Sequence, residues 1–165
     1  MCSVVSILAV VLALTAFSAT AAATPQATVP LATYVRQADR VCLDVAQRAL
    51  ALQREARRRV GAATSEAQAL RIFGEIYRRQ LALVRSMRRR LVALGTPSSG
   101  AATARLLVDG IRDGERALAQ LIAAVESGST QAFTRAAVRY RNVSLASARA
   151  VKRSGLGFRA CGAGG

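Results

Sequence analysis

Apolar side chains recur in alternating steps of three and four residues through four successive runs of this chain, and each run ends at glycine, proline or serine breakers. That step is the period of one face of an α-helix. The first run is Tyr34, Ala38, Val41, Val45, Ala49, Leu52, Ala56 and Val60, with Gly61 expected to stop it. Ser65 followed three residues later by Gln68 reads as a capping box opening a second helix, which carries Ile72, Phe73, Ile76, Gln80, Leu83 and Leu91 toward Leu94. Breakers then crowd Gly95-Thr96-Pro97-Ser98-Ser99-Gly100, as in a loop. A third run holds Ala104, Leu107, Ile111, Gly114, Leu118, Leu121 and Val125 and ends at Ser127-Gly128. Thr130 is expected to cap a fourth helix through Phe133, Ala136, Tyr140, Val143, Ala148 and Val151, with Gly155 as its left-handed stop. No segment alternates with period two. Short connections between long helices favour antiparallel neighbours, so the predicted fold is all-α, an antiparallel up-down-up-down four-helix bundle. Many stripe positions are Ala or Gly, which lets helices approach but buries little area per residue, so a thin core is expected.

The N-terminus reads differently. Residues 1 to 23 carry no charged side chain, run apolar from Val4 to Phe17, and finish in small residues, with Ala19-Thr20-Ala21 and Ala21-Ala22-Ala23 as the two candidate cleavage sites. This is the pattern of a secretory signal peptide, although Met1-Cys2-Ser3 lacks the usual basic residue. An uncleaved membrane anchor is the alternative, since about 20 apolar residues span a bilayer, and it would hold the Arg-rich remainder inside the cell. Interruptions at Ser6, Thr15, Ser18 and Thr20 favour cleavage. The expected layout is a signal peptide over 1 to 23, a linker over 24 to 32, a helical domain over 33 to 162 and a disordered tail over 163 to 165. The expected location is secreted or in the cell envelope.

Cysteine usage agrees with export. Cys2 leaves with the leader, and the remaining pair, Cys42 and Cys161, allows one intramolecular bridge. Two unrelated buried thiols are the alternative. A bridge across so long a loop would contribute about 4 to 5 kcal/mol. It would draw Leu156 and Phe158 of the tail onto the first helix, so the tail is expected to be docked and ordered.

The Cys-bearing ends, Ala38-Asp39-Arg40-Val41-Cys42 and Gly155-Leu156-Gly157-Phe158-Arg159-Ala160-Cys161-Gly162, flank a helical middle. Together they resemble a group of small exported proteins of high-GC Gram-positive bacteria. The resemblance spans roughly Tyr34 to Gly162 in layout and implies an all-helical fold; it supplies no activity. Many members are acidic and carry a lipobox cysteine at the end of the leader. This chain is strongly basic and its Cys2 sits too early, so lipid anchoring does not carry over.

The chemistry-bearing residues exclude more than they suggest. There is no His, which removes the usual neutral-pH proton shuttle and imidazole metal ligands. The 9 carboxylates are outnumbered by 24 cations, all but Lys152 being Arg, for a net charge of +15. Asp109 with Arg112, Asp113 with Arg116, Asp44 with Arg48, Glu55 with Arg59 and Glu75 with Arg79 have the spacing of ordinary solvated helix pairs. Glu115 lies beside the third stripe and calls for an Arg from another helix, because an unpaired buried carboxylate is costly. The candidate anion-binding residues are the triplets Arg57-Arg58-Arg59 and Arg88-Arg89-Arg90, since Arg grips phosphate bidentately. Each triplet also complements a helix C-terminal dipole, and the two fall toward opposite ends of the expected bundle. No catalytic residue, metal ligand or cofactor motif stands out.

The expectation is therefore an exported noncatalytic helical protein that associates with anionic envelope polymer or lipid headgroups. Nucleic acid is a weaker partner, because the chain has 3 Tyr, 4 Phe and no Trp, and no DNA-reading motif. Two alternatives stay open: a helical-bundle enzyme holding a small anionic substrate in Arg clamps, and a partner-binding or self-associating protein that uses Leu81, Leu106 and Leu145. The oligomeric state does not follow from the sequence.

Overall fold

The computed structural model describes residues 28 to 161. The leader and the last residues of the tail therefore lie outside the described residues. The described chain is mostly helical with two short strands, in the order β1 (Thr28–Val29), α1 (Leu31–Gly61), α2 (Glu66–Ala93), β2 (Thr96–Pro97), α3 (Ala101–Glu126) and α4 (Thr130–Arg153). The all-helical architecture matches the periodicity. None of the described helices is long and apolar enough to cross a membrane.

The ends of the helices refine the sequence reading. α1 begins at Leu31, inside the segment assigned to the linker, because Pro30 accepts from the backbone N–H groups of Thr33 and Tyr34 at 2.9 and 3.0 Å. Pro30 has no N–H to leave unpaired, and its restricted φ suits a helix entry. Upstream of it, Thr28–Val29 pairs in parallel with Thr96–Pro97 of the α2–α3 connection. α1 ends at Gly61 as expected, with Ala62 following as a right-handed cap. At α2 the hydroxyl of Ser65 accepts from the Gln68 N–H at 3.2 Å, but the Gln68 side chain reaches to Thr64 N at 2.8 Å, one residue short of a reciprocal box. Ser129, not Thr130, caps α4, accepting from Ala132 N at 3.2 Å, while the Thr130 hydroxyl bonds Glu66. Gly155, at φ 72°, is left-handed as expected.

Cross-helix ion pairs report how neighbours run. Arg90 meets Asp44 at 2.5 Å, Arg79 meets Glu55 at 2.7 Å and Arg59 meets Glu75 at 2.5 Å, so residue number falls along α2 as it rises along α1. Arg88 with Glu115 and Arg78 with Glu126 repeat this between α2 and α3. The packing is compatible with an up-down-up-down order. α1 packs on α2, α2 on α3 and α3 on α4, whereas α1 and α4 meet at no comparable interface.

The core is divided along the helices. At the pole holding both described chain ends, Tyr34, Val41, Leu91, Leu107, Ile111 and Val151 form one cluster, with Phe158 and Cys161 packed on it. Leu81, Leu118, Leu121 and Ile122 form a second cluster with Phe133 and Tyr140, so Leu81 is core and not surplus. Leu52, Ile72 and Ile76 form a third. Small residues set the closest approach: an added Cβ at Gly110 of α3 would lie 2.0 Å from Ser147 Oγ of α4. α3 buries eight residues and α4 buries only Val151, so the fourth stripe is the least covered of the four.

Candidate functional site

The two cysteines are joined, with Cα atoms 5.2 Å apart and a sequence separation of 119. Their surroundings explain why both Cys-bearing ends are needed. Asp39, one turn before Cys42, accepts from the backbone N–H groups of Arg159 at 2.9 Å, Ala160 at 2.9 Å and Cys161 at 3.2 Å. Phe158 meets Tyr34 edge to face with ring centroids 6.5 Å apart, and Leu156 lies against Gly100. The tail is thus pinned to α1 by a bond, a carboxylate clamp and an aromatic contact. Asp39, like Glu66, Glu115 and Glu126, has no cation three or four residues downstream, and that absence from the local pairs was the legible trace of a partner far away in sequence.

Ion pairing redistributes the basic surface. Asp109–Arg112, Asp113–Arg116, Asp44–Arg48 and Glu55–Arg59 form as the spacing predicts. Glu75–Arg79 does not; each side chain turns to the other helix, Glu75 to Arg59 and Arg79 to Glu55. Arg88 reaches Glu115 at 2.7 Å, and the Glu115 side chain is only 13% exposed, so this is the most sheltered pair. Hydrogen bonds from Arg90 and Arg79 hold the carboxyls of Asp44 and Glu55, respectively, below their ordinary range.

The structure therefore splits the predicted anion-binding triplets. Arg59, Arg88 and Arg90 are engaged by carboxylates. Arg57, Arg58 and Arg89 are exposed with no carboxylate partner among the described residues. Seven of the nine acids serve ion pairs, and the other two, Asp39 and Glu66, accept from the tail and from Thr130. Of 24 cations, 8 are used in these pairs.

The largest block of unpaired charge is α4. Arg135, Arg139, Arg141, Arg149, Lys152 and Arg153 are all exposed, and no Asp or Glu occurs after Glu126. Arg135, Arg139, Asn142, Ala146, Arg149 and Arg153 follow one another in steps of four and three, so four arginines share the outer face over about 27 Å. Looking for runs of adjacent Arg missed this, because a helical face spaces its charges three and four apart; the legible signal was the acid-free C-terminal segment.

A cleft of about 340 Å³ lies where α1 and α4 fail to close. Val84 and Met87 of α2 and Leu107 and Ile111 of α3 form its floor, Ala46 and Ala49 its α1 side, Ser144 and Ala148 its α4 side, and Ala160 and Cys161 of the tail bound one end. Gln80 Nε2 donates to Tyr140 Oη at 2.9 Å within it, and burial raises the Tyr140 phenol above its usual pKa. A Cβ at Gly114, which lines the cleft, would meet nothing within 4 Å. A larger depression, about 760 Å³, lies elsewhere, between the start of α2 and the end of α3, and its acids are already partnered. Among the described residues no group of three or more His, Cys, Asp or Glu side chains is placed to hold a metal ion.

No protein-family model, curated protein or solved structure matches this chain.

Proposed function

We propose that this is an exported, noncatalytic helical protein that associates with anionic cell-envelope material, and that α4 is the face that makes contact. The observation that carries the reading is the division of charge: the acids are committed to internal partners, while α4 presents six cations and no acid. A cationic face of this length attracts an extended polyanion or an anionic headgroup layer through summed field and needs no shaped pocket. The disulfide is compatible with an oxidising compartment, in keeping with export and with the resemblance to small exported proteins. On this reading the frame is an antiparallel up-down-up-down bundle, with which the ion-pair register agrees.

Retention on a polyphosphate resin tests it. Binding should collapse as salt shortens the screening length from about 8 Å at physiological ionic strength. Replacing Arg135, Arg139, Arg149 and Arg153 together by Gln should lower the eluting salt well below that of the parent, and by more than replacing Arg57, Arg58 and Arg89. Retention indifferent to salt, or equal loss from both sets, would overturn the assignment to α4.

A further inference from the structure

The charge on α4 and the cleft beside it belong to one amphipathic feature. Arg141 lies three residues before Ser144 and Lys152 four after Ala148, so both cations stand on the α4 lip of the cleft. Leu43 and Leu50 stand on the opposite lip, three residues before and four after Ala46, and are 52% and 51% exposed. The opening therefore has one cationic and one apolar edge above an apolar floor. Its lining runs about two turns along each helix, or about 11 Å, which suits a chain better than a bulky ring system. Beside that floor Gln80 Nε2 donates to Tyr140 Oη, so these two groups partner one another, and no side-chain polar atom already buried among the described residues lacks a partner. An alkyl chain placed there would leave that hydrogen bond intact.

We propose that the α1–α4 cleft binds a single-chain anionic amphiphile, its acyl chain over Val84, Met87, Leu107 and Ile111 and its headgroup held at the lip by Arg141, at the end of the cleft away from the tail. This deepens the reading above by naming a ligand class, and it rests on that reading only for the charge of α4. The volume falls at the lower end of the range for small-molecule pockets, which confines the ligand to one chain. Charge complementarity selects an anionic head, a carboxylate or a phosphate.

Calorimetric titration of the full domain with dodecanoate, with an acyl lysophosphatidylglycerol and with dodecanol, each below its aggregation limit, tests the proposal. Both anionic probes should bind one to one, and whichever binds tighter identifies the head as carboxylate or phosphate. Gly114→Leu should fill the empty volume and weaken both at least tenfold without lowering the melting temperature; Ala148→Leu, from the other wall, is the second obstruction should the first fail to fold. Arg141→Gln should weaken the anionic probes about tenfold and leave dodecanol unchanged, whereas Lys152→Gln, about three turns away, should leave all three unchanged. Undiminished binding to the obstructed variants would overturn the cleft as the site, as would a dimer in sedimentation that Gly114→Leu abolishes. Salt-sensitive retention on polyphosphate with no binding of either anionic probe would overturn this inference alone and leave the α4 surface standing.

Discussion

Asp39 holds three successive backbone N–H groups of a segment some 120 residues away, and it is the residue through which the tail becomes part of the domain. Its removal strips a charged acceptor from partly buried donors, a loss of about 2 kcal/mol. Asp39→Ala should therefore lower the unfolding free energy by that amount and speed amide exchange at Arg159, Ala160 and Cys161, with Asp39→Asn in between; unchanged protection would show that the bridge alone positions the tail. Gly110 and Gly114 make the opposite kind of test. They sit one turn apart on α3, yet a Cβ at the first would collide with Ser147 and at the second would meet nothing. Gly110→Ala should destabilise by about 1 to 3 kcal/mol, most of it recovered by Ser147→Gly, whereas Gly114→Ala should stabilise by about 1 kcal/mol through helix propensity. Chemical-denaturation midpoints for the three variants decide between these outcomes.

At the scale of elements, α1 and α2 are joined by carboxylates whose pKa values are depressed in the folded state, Asp44 chiefly by its hydrogen bond from Arg90 and Glu55 by that from Arg79. A depressed carboxyl binds its proton less readily folded than unfolded, so its contribution is present above the ordinary range near pH 4 and lost as pH falls through the folded values. The melting temperature should decline below about pH 4, and Asp44→Asn with Glu55→Gln should flatten that decline; parallel profiles would remove these pairs from the account. How legible the elements were follows from the same physics. Periodicity located four helices because burial on one face imposes it on sequence, and breakers placed their ends within a few residues. What escaped was decided by tertiary geometry. Glu75 and Arg79 have the spacing of a local pair, but two antiparallel helices offered each a better-placed partner. The strand Thr28–Val29 is too short to leave a pattern and exists only because the α2–α3 connection passes beside it. The cleft was invisible for a related reason: the fourth stripe looked equivalent to the others, and nothing in a stripe tells that its helix stands off from the first.

At the scale of the molecule, the disulfide and the pole it closes govern stability. Three small clusters share the core, so the domain depends on the constraint that Cys42–Cys161 places on the unfolded chain. Cys42→Ser with Cys161→Ser should cost about 4 to 5 kcal/mol, a large part of the roughly 5 to 15 kcal/mol that holds a typical domain folded. Urea unfolding of the bridged and unbridged proteins measures it directly.

The same bridge makes the domain a short-circuited element in any tether. Tension applied between residues 28 and 161 enters at β1, passes along the start of α1 as far as Cys42, and leaves through Cys161 without crossing α2, α3 or α4. Under load the oxidised chain can lengthen only over residues 28 to 41, about 50 Å at full extension, whereas the reduced chain can pay out roughly 450 Å. In an optical trap those two contour lengths are readily told apart, and a protein pulled at its ends would keep α2, α3 and α4 outside the line of force for as long as the sulfur–sulfur bond survives.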